Sequence, residues 1–400
     1  MSTTLKGIPI VTRRADSHGE PQARLPSRFD RIALREIDLN ITNRCNIDCR
    51  HCAFASHVHD ENELSLELIR RILDEAVTLG CREIHLTGGE PTIHRQFDAV
   101  LESVFERGLF TRLISNGTCS KAKLRRYHDI GLRHLLFSID GMREKHDEIR
   151  GRAGLFDITV ARMHDALSLG YQVRINAVAM SDNLDELLEL YLMCARAGVQ
   201  LFSVFLYSPT GRDAARQHHL IVDAARWRDF KDRLRSLAQG YPTEVFAEKG
   251  FWFRDEPAPD WSTMDGRGGG CYHLSRVMDY LLITGKGEVF PCALLNDKGI
   301  PYGNVHERSL ADIIARPDGH YRTYEGFREA DGKCGSCPEW EHCHGGCRSF
   351  VYAYQGHWQA PDPQCSSEPG QVPTSIPLCP LFKERLRDGG FSGFSESLSD

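Results

Sequence analysis

The sequence contains no apolar run that approaches the roughly 18–20 residues a helix needs to cross a bilayer. It has no excess of positive charge either, because 49 Lys and Arg stand against 55 Asp and Glu. This balance excludes a chain drawn as a whole to nucleic acid or anionic lipid. The N-terminus lacks the long apolar core of a secretory signal. These absences predict a cytoplasmic globular protein that binds neither membrane nor nucleic acid.

Cysteine, by contrast, is abundant, with 14 residues in a chain of 400. Disulfides do not persist in the cytoplasm, so this number indicates metal sites. Cys81, Cys119 and Cys194 stand singly in or beside apolar segments and are expected in the core. The others form two groups, which are Cys45, Cys49 and Cys52, and then Cys271, Cys292, Cys334, Cys337, Cys343, Cys347, Cys365 and Cys379.

Between residues 35 and 240, apolar β-branched runs alternate with segments in which apolar residues recur at helical spacing. This alternation predicts right-handed βαβ units and a parallel sheet, either doubly wound or curved into an open barrel. In both arrangements ligands gather at the carboxyl ends of the strands, where polar tripeptides such as Ser115-Asn116-Gly117 fall. The predicted strands are Glu36–Ile41, Glu83–Leu86, Phe110–Ile114, His134–Ile139, Gln172–Val178 and Gln200–Leu206.

The chain divides by composition into five parts. Residues 1–34 are polar and aperiodic and are expected to form a flexible lead, and the βα region covers 35–240. Residues 241–270 mix Pro, Gly, Asp and Trp, which is typical of a linker. Residues 271–385 carry cysteines but little apolar mass, so a domain there needs metal sites to hold it together. Residues 386–400 are expected to form a flexible tail.

The first cysteine group occupies a single loop directly after the first predicted strand. Cys45, Cys49 and Cys52 can hold three corners of a cubane [4Fe–4S] cluster and leave the fourth iron open. Zinc is the alternative, but a structural zinc site closes with four ligands. The fourth zinc ligand would have to be one of the neighbouring histidines, which are His51, His57 and His59.

In these features the chain resembles the radical SAM enzymes, whose CxxxCxxC loop follows the first strand of a partial barrel. The second strand leads into Thr87-Gly88-Gly89-Glu90-Pro91, which matches the element with which that family binds the methionyl amine of S-adenosylmethionine. The resemblance implies an α/β fold, a partial (β/α)6 TIM-like barrel. It also implies a set of residues that bind the cofactor, namely His51, Gly88, Gly89, Glu90, Asn116, Ser138, Asp140 and Asn176.

The reaction implied by this resemblance starts with one electron on the SAM-binding [4Fe–4S] cluster. The reduced cluster cleaves S-adenosylmethionine to methionine and a 5′-deoxyadenosyl radical, which abstracts hydrogen from a substrate C–H bond. A low-potential donor of the flavodoxin or ferredoxin type would supply the electron. The protein itself positions the reactants and excludes water.

The C-terminal cysteines resemble the SPASM extension of radical SAM enzymes, in which a Gly-x4-Cys element precedes a CxxC-x5-C-x3-C run. Gly287 and Cys292 match the first element. The resemblance implies a small cysteine-rich domain with two auxiliary [4Fe–4S] clusters. Their ligands would be Cys334, Cys337, Cys343 and Cys365 for the outer cluster, and Cys271, Cys292 and Cys347 for the inner one.

Two positions depart from the SPASM pattern. Val277 stands where fully ligated members have a further cysteine, so the inner cluster is expected to keep an open iron, with Cys379 as the alternative ligand. Ala293 stands where sulfatase-maturing relatives have an aspartate that acts as a base. A reaction that releases a proton therefore needs another acceptor. The candidates by location are Asp279, Tyr280 and Tyr207.

The resemblance favours oxidative maturation of a ribosomally made peptide. The alternative within the same chemistry is a small molecule, either a tetrapyrrole precursor or an aminocyclitol or sugar. Residues 1–34 are too few for the winged-helix peptide-recognition domain of many peptide-acting members. Either a separate protein recognises the peptide leader, or the enzyme recognises its substrate without such a module.

Two further alternatives stay open at this point. A non-catalytic, zinc-stapled binding protein is one, and its zinc knuckle would draw on Cys334, Cys337, Cys343, Cys347, His342 and His344. Such a protein would be colourless and would form no 5′-deoxyadenosine. The other is a working radical SAM core whose C-terminal cysteines hold a single cluster.

Overall fold

The computed structural model describes residues 3–5, 8–10, 31–212, 218–247, 277–299, 301–318, 347–356 and 360–365. The strands are β1 (Thr3–Leu5), β2 (Ile8–Ile10), β3 (Arg31–Thr42), β4 (Glu83–Gly88), β5 (Phe110–Ser115), β6 (His134–Ser138), β7 (Gln172–Ala179), β8 (Leu201–Leu206), β9 (Glu244–Ala247), β10 (Val277–Ile283), β11 (Glu288–Phe290) and β12 (Gly303–Asn304). The helices are α1 (Leu66–Thr78), α2 (Phe97–Glu106), α3 (Lys121–Ile130), α4 (Arg143–Arg150), α5 (Leu155–Ser168), α6 (Leu184–Ala197), α7 (Ala224–Ala238), α8 (Leu310–Ala315) and α9 (Arg348–Gln355). None of the described helices combines the length and the apolar character that crossing a bilayer requires.

Several helices begin or end where the sequence supplies a cap. Ser65 accepts a hydrogen bond from the backbone N–H of Leu68 at the start of α1, which satisfies one of the free donors of the first turn. Gly151 ends α4 and Gly198 ends α6 in the left-handed conformation, which costs glycine no Cβ clash. These boundaries are therefore specified by residues close to the helix ends in the chain.

Ten of the described strands form one sheet in the order β12-β11-β10-β3-β4-β5-β6-β7-β8-β9. From β10 to β9 along this order the neighbours are parallel, with Leu39 opposite Leu86 and Leu113 opposite Leu135. β11 and β12 continue the sheet in antiparallel pairing. The predicted α/β fold with a parallel sheet is confirmed, and all six predicted strands are present as β3 to β8.

Two strands extend this sheet beyond the six predicted units. β9 follows α7 and pairs with β8, so that Ala247 lies opposite Val204. β10 lies near the start of the predicted cysteine-rich domain, yet it pairs with β3 and brings Leu281 opposite Ile37. β3 itself begins at Arg31, inside the predicted lead. The C-terminal part therefore continues the barrel sheet directly.

The two faces of β3 differ in chemistry. Ile37, Leu39 and Ile41 are fully buried in the apolar core. The alternate positions carry Glu36, Asp38 and Asn40, and Asp38 faces an interior pocket. A parallel strand that is covered on both sides is normally a continuous run of apolar residues. Polar residues at every second position of β3 therefore indicate that one face of the strand does not form part of an apolar core.

Candidate active site

The concave side of the sheet encloses a pocket of about 440 Å³. Its wall includes Asp38 on β3, Phe246 on β9 and Tyr280 on β10, so strands far apart in the sheet face the same space. The open sheet is thus curled into a partial barrel. Five cysteines also line this pocket, and they are Cys45, Cys49, Cys52, Cys292 and Cys347.

The loop with the first three cysteines is anchored on both sides. The backbone N–H of Arg50 donates to the Ile149 carbonyl at 3.0 Å, and the Arg50 guanidinium pairs with Asp182 at 2.7 Å. On the other side Arg212 pairs with Asp48 at 2.6 Å. Because β3 delivers the loop and its neighbours fix it, the three thiols are held at the pocket wall.

Burial controls the acidity of these thiols. It raises the pKa of Cys45 to about 12 and that of Cys49 to about 11, so both thiols are neutral in the metal-free chain at ordinary pH. A coordinating metal is what deprotonates such a thiol. Each sulfur nevertheless accepts hydrogen bonds. Cys45 accepts from the Asn116 side chain and the backbone N–H of Ile47, Cys49 accepts from Arg150, and Cys52 accepts from the backbone N–H of Ser56.

The spacing of the sulfurs separates the two metal hypotheses. Thiolates bound to one tetrahedral zinc lie about 3.8 Å apart, given Zn–S bonds of about 2.3 Å. Among the described residues, the sulfurs of Cys45, Cys49 and Cys52 do not all lie within 4.8 Å of one another. The loop therefore does not hold these three sulfurs at the spacing of one tetrahedral zinc ion.

Gly88 and Gly89 also line the pocket. A Cβ at Gly88 would lie 2.3 Å from the Thr42 carbonyl oxygen, and a Cβ at Gly89 would lie 2.3 Å from that of Arg44. Only glycine allows this close approach between the end of β4 and the cysteine loop. The two glycines therefore bring the backbone that was predicted to bind the cofactor amine next to the thiols.

Glu90 is fully buried, and the described wall of the pocket does not include it. Its carboxylate accepts hydrogen bonds from Thr92 N and Oγ1, from Ser115 Oγ at 2.9 Å and from Asn116 N at 2.7 Å. Burial raises the pKa of Glu90 against these bonds. In this arrangement Glu90 holds the ends of β4 and β5 together, and its predicted contact with the cofactor stays a prediction.

The other predicted cofactor residues divide into two groups. Asn116, Ser138, Asn176 and His51 line the pocket. Asn176 Oδ1 is buried without a hydrogen-bond partner among the described residues, which suits a site that receives the hydroxyl or ammonium hydrogens of a polar ligand. Asp140 does not line the pocket, and it instead contacts Arg150 at 2.6 Å.

Asp140, Arg150 and His51 form a buried network behind the cysteine loop. His51 Nε2 lies 3.4 Å from Asp140 Oδ2, and burial lowers the pKa of His51 to about 4, so its ring is neutral at pH 7. Burial by itself would raise the pKa of Asp140, but the Arg150 guanidinium and the two nearby histidine rings hold that pKa below its usual value.

A second polar network forms the floor of the pocket, and of its residues only Tyr280 was among the predicted site residues. Tyr280 donates to Asp38 at 2.6 Å, and Asp38 lies 2.8 Å from His85 Nδ1. His85 Nε2 lies 2.6 Å from Glu83, which also pairs with Arg112. The signal that could have found these residues is the alternation of polar and apolar residues in strands predicted to be buried.

The predicted proton acceptors have different outcomes. Tyr280 and Tyr207 both line the pocket. Burial raises the pKa of Tyr207 to about 12, and burial followed by the Asp38 charge raises that of Tyr280 well above its usual value. Both phenols therefore stay protonated at neutral pH. Asp279 belongs to β10, but its side chain lies outside the described part of the structure.

The C-terminal cysteines are only partly within the described residues. Cys292 and Cys347 face the pocket, and Cys365 is described but does not line it. The remaining predicted ligands lie outside the described residues, and they are Cys271, Cys334, Cys337, Cys343 and Cys379.

Comparison with known proteins agrees with this geometry. Residues 39–194 match the family model of the Radical SAM superfamily, and residues 271–344 match the SPASM model, an iron-sulfur cluster-binding domain. The chain is 27% identical over 356 residues to an AdoMet-dependent heme synthase of Oleidesulfovibrio alaskensis, covering 86% of this chain and 90% of that protein. It is 28% identical over 346 residues to a PqqA peptide cyclase of a Methylobacterium species, covering 82% and 85%. Streptococcus suis SuiB bound to S-adenosylmethionine shares the fold, with a TM-score of 0.68, 21% identity, and coverage of 84% and 78%.

Proposed function

The chain belongs to the radical SAM superfamily and carries a C-terminal iron–sulfur cluster-binding SPASM domain; from this we propose that it is an oxidoreductase of the maturase type. When bound, the cluster and S-adenosylmethionine would supply a 5′-deoxyadenosyl radical that removes hydrogen from a substrate C–H bond. Cys45, Cys49 and Cys52 would hold the cluster. A flavodoxin- or ferredoxin-type protein in the reducing cytoplasm would be the electron donor.

The observation that carries this proposal is the convergence of separate motifs on one pocket. Residues of the thiol loop after β3, the glycine pair at the end of β4, Asn116 after β5 and Ser138 on β6 all line it. These residues would orient a bound cofactor and limit its contact with water, since the lining consists of buried and half-buried residues. A structural zinc site would need none of the polar strand-end residues.

Anaerobic purification tests the proposal. Three [4Fe–4S] clusters correspond to about twelve iron atoms per chain, and 5′-deoxyadenosine should form from S-adenosylmethionine with dithionite. Replacing Cys45, Cys49 and Cys52 with alanine should abolish 5′-deoxyadenosine and remove about four iron atoms. Cys194→Ala is the matched control, because Cys194 is buried in α6 away from the pocket. A colourless parent protein with zinc would contradict the proposal.

The position of Cys292 and Cys347 supports an auxiliary cluster beside the substrate. Both side chains border the pocket that holds the first thiol loop. We expect Cys271 as the third ligand of this inner cluster and the outer cluster at Cys334, Cys337, Cys343 and Cys365. The inner cluster would either accept the electron left on the substrate or bind the substrate at an open iron.

For the proton that an oxidation releases, we propose Asp38 as the acceptor. Asp38 is ionisable, lines the pocket and has Tyr280 fixed on one oxygen and His85 near the other. The Tyr280 phenol is a hydrogen-bond donor to this carboxylate, which orients it. Ala293, the position that is an aspartate in sulfatase-maturing relatives, lines the same pocket. Asp38 would therefore accept the proton from a different side of that pocket.

The proposed substrate is a ribosomally made peptide, and the similarity to a PqqA peptide cyclase supports it. A second candidate is a tetrapyrrole, which the similarity to an AdoMet-dependent heme synthase favours. The buried Arg112 and the half-buried Arg174 on the pocket wall would suit the carboxylates of either substrate. A peptide would also allow a separate leader-recognition protein as a partner.

Incubation of the reduced enzyme with each candidate substrate distinguishes the two. Any short peptide encoded beside this gene is one probe, and a porphyrin with carboxylate side chains is the other. Peptide maturation predicts a mass loss of about two hydrogens or a new cross-link in the peptide after reaction. Tetrapyrrole chemistry predicts saturable changes in porphyrin absorbance and no change in the peptide.

A further inference from the structure

The last residue of helix α4 reaches the cysteine loop. Arg150 is buried, and its Nη1 donates to Cys49 Sγ at 3.8 Å while its Nε lies 2.6 Å from Asp140 Oδ2. The helix end is pressed against the loop, because a Cβ at Gly151 would lie 2.5 Å from the Asp48 carbonyl oxygen. The guanidinium is therefore held in place by backbone contacts as well as by its ion pair.

The side-chain and backbone groups that donate hydrogen bonds to the thiol sulfurs differ in charge, and the backbone N–H of Ile47, which donates to Cys45, is neutral. Cys45 receives the Asn116 amide at 3.9 Å, and Cys52 receives the backbone N–H of Ser56 at 3.4 Å. Cys49 receives the guanidinium of Arg150. Of these donors only Arg150 is a cation. Arg50 and Arg212 also flank the loop, but their guanidinium groups pair with carboxylates at its outer side.

We propose that Arg150 sets the reduction potential of the cluster bound by Cys45, Cys49 and Cys52, by placing a buried positive charge against the Cys49 sulfur. This inference rests on the proposed function, since it needs the cluster to be present. Reduction adds one electron and hence one negative charge to the site. A cation in a buried, weakly screened position stabilises that charge.

Asp140 has the opposite charge, and it contacts Arg150 through Nε, whereas Cys49 is contacted through Nη1. It orients the Arg150 guanidinium through Nε and accepts the backbone N–H of Val178 at 2.8 Å. Its carboxylate partly offsets the effect of Arg150 at the cluster. The pair therefore acts as a fixed dipole with its positive end toward Cys49. Arg150 would raise the reduction potential of the cluster through its charge, and Asp140 would hold Arg150 in position.

Four variants test this in the anaerobically purified full chain. They are Arg150→Gln, Arg150→Lys, Asp140→Asn and the double variant Asp140→Asn/Arg150→Gln. The midpoint potential is measured by dithionite titration with electron paramagnetic resonance, first without S-adenosylmethionine. The signal of this cluster is assigned by its change when the cofactor is then added. Iron content is measured on each sample, and Arg212→Gln is the control for a loosened loop.

Arg150→Gln should lower the ratio of reduced to oxidised cluster about tenfold at a given potential, a shift of about 59 mV for a one-electron couple. Arg150→Lys keeps the charge and should stay near the parent value, and Asp140→Asn should shift the potential upward. Arg212→Gln should leave it unchanged. Arg150→Gln leaves the buried Asp140 without its counter-ion and for that reason could fail to take up iron. The double variant removes both charges, and its potential should still be lower than that of the parent.

Two results would overturn the inference. One is a parent-like potential in Arg150→Gln, or in the double variant, with full iron content. The other is a shift that occurs only with S-adenosylmethionine present, because Arg150 would then act on the cofactor. A parent chain without iron would overturn the proposed function as a whole. If the parent cleaves the cofactor but the Arg150→Gln variant has the potential of the parent, only this inference is overturned.

Discussion

The hydroxyl of Tyr280 donates a hydrogen bond of 2.6 Å to Asp38 Oδ2. The two residues lie on β10 and β3, which are neighbours in the sheet although 242 positions separate them in the chain. Through this pair the C-terminal part of the protein orients a carboxylate inside the barrel pocket. The contact thus joins the two parts of the chain at the wall of the pocket.

Asp38→Asn removes the proposed proton acceptor without changing the shape of the side chain. Product formation should fall about 100-fold or more, which is the usual contribution of a general base, while 5′-deoxyadenosine should still form. The ratio of product to 5′-deoxyadenosine, measured by mass spectrometry, checks this. Tyr280→Phe should lower the same ratio to a smaller extent.

Tyr171→Phe is the matched control for the tyrosine variant. The Tyr171 hydroxyl is buried and donates to the Leu124 carbonyl at 2.6 Å, outside the pocket. Its loss should lower stability but leave the ratio unchanged. An unchanged ratio in Asp38→Asn would remove Asp38 from the mechanism.

Gly89→Ala should disturb the junction between β4 and the cysteine loop. The new Cβ would meet the backbone of Arg44 at 2.3 Å, and the forced movement should cost about 1–3 kcal/mol of stability. We also expect loss of most 5′-deoxyadenosine formation, because the thiol loop and the cofactor backbone would shift together. Urea unfolding and cofactor cleavage are the measurements.

Gly108→Ala provides the comparison for this glycine. Gly108 has φ +66°, but a Cβ there meets nothing within 4 Å. It should cost about 1 kcal/mol of stability through backbone strain alone and leave cofactor cleavage intact. Equal effects of the two substitutions would contradict a special role for Gly89.

The stability of the chain should decrease as the pH falls through the range set by His146. Burial lowers the pKa of this fully buried imidazole from 6.5 to about 4. Because the folded-state pKa is depressed, the contribution is complete above pH 6.5 and is lost as the pH falls toward 4, up to about 3 kcal/mol. Urea unfolding between pH 7.5 and 4.5 measures it.

His146→Gln should reduce this pH dependence by about half, because glutamine does not titrate, whereas His51, whose pKa burial also lowers to about 4, still does. The glutamine amide oxygen can accept the Asp140 N–H that His146 Nδ1 accepts at 3.2 Å. The exposed His219 is the control, and His219→Gln should keep the slope of the parent. The same slope in His146→Gln as in the parent would show that other groups cause the acid sensitivity.

Cys292→Ala should remove one auxiliary cluster and leave the SAM-binding cluster intact. We expect about four fewer iron atoms per chain, continued formation of 5′-deoxyadenosine and loss of product. Mössbauer spectroscopy and iron analysis check the count. Cys81→Ala, at a buried cysteine whose thiol faces the Arg35 and Glu83 carbonyls, should change neither. Full iron content in Cys292→Ala would mean that Cys292 is no ligand.

Much of the fold was predictable because its signals are local. Strands β3 to β8 could be read from runs such as Leu201–Leu206, and helix α1 from a capping serine followed by an apolar stripe. β9 and β10 are different. Their place in the sheet follows from pairing with β8 and β3 across a long stretch of chain, and no local pattern encodes a partner that distant.

The sequence by itself determined the chemistry of the cysteine loop, because Cys45, Cys49 and Cys52 are close along the chain and need no tertiary contact to share a loop. Only the tertiary structure decided which side chains surround it. Glu90 and Asp140 lie outside the pocket lining, and Arg150 contacts the Cys49 sulfur although 101 positions separate the two residues in the chain. The physical reason is that burial and ion pairing depend on how strands and helices pack, and packing joins residues that sequence spacing keeps apart.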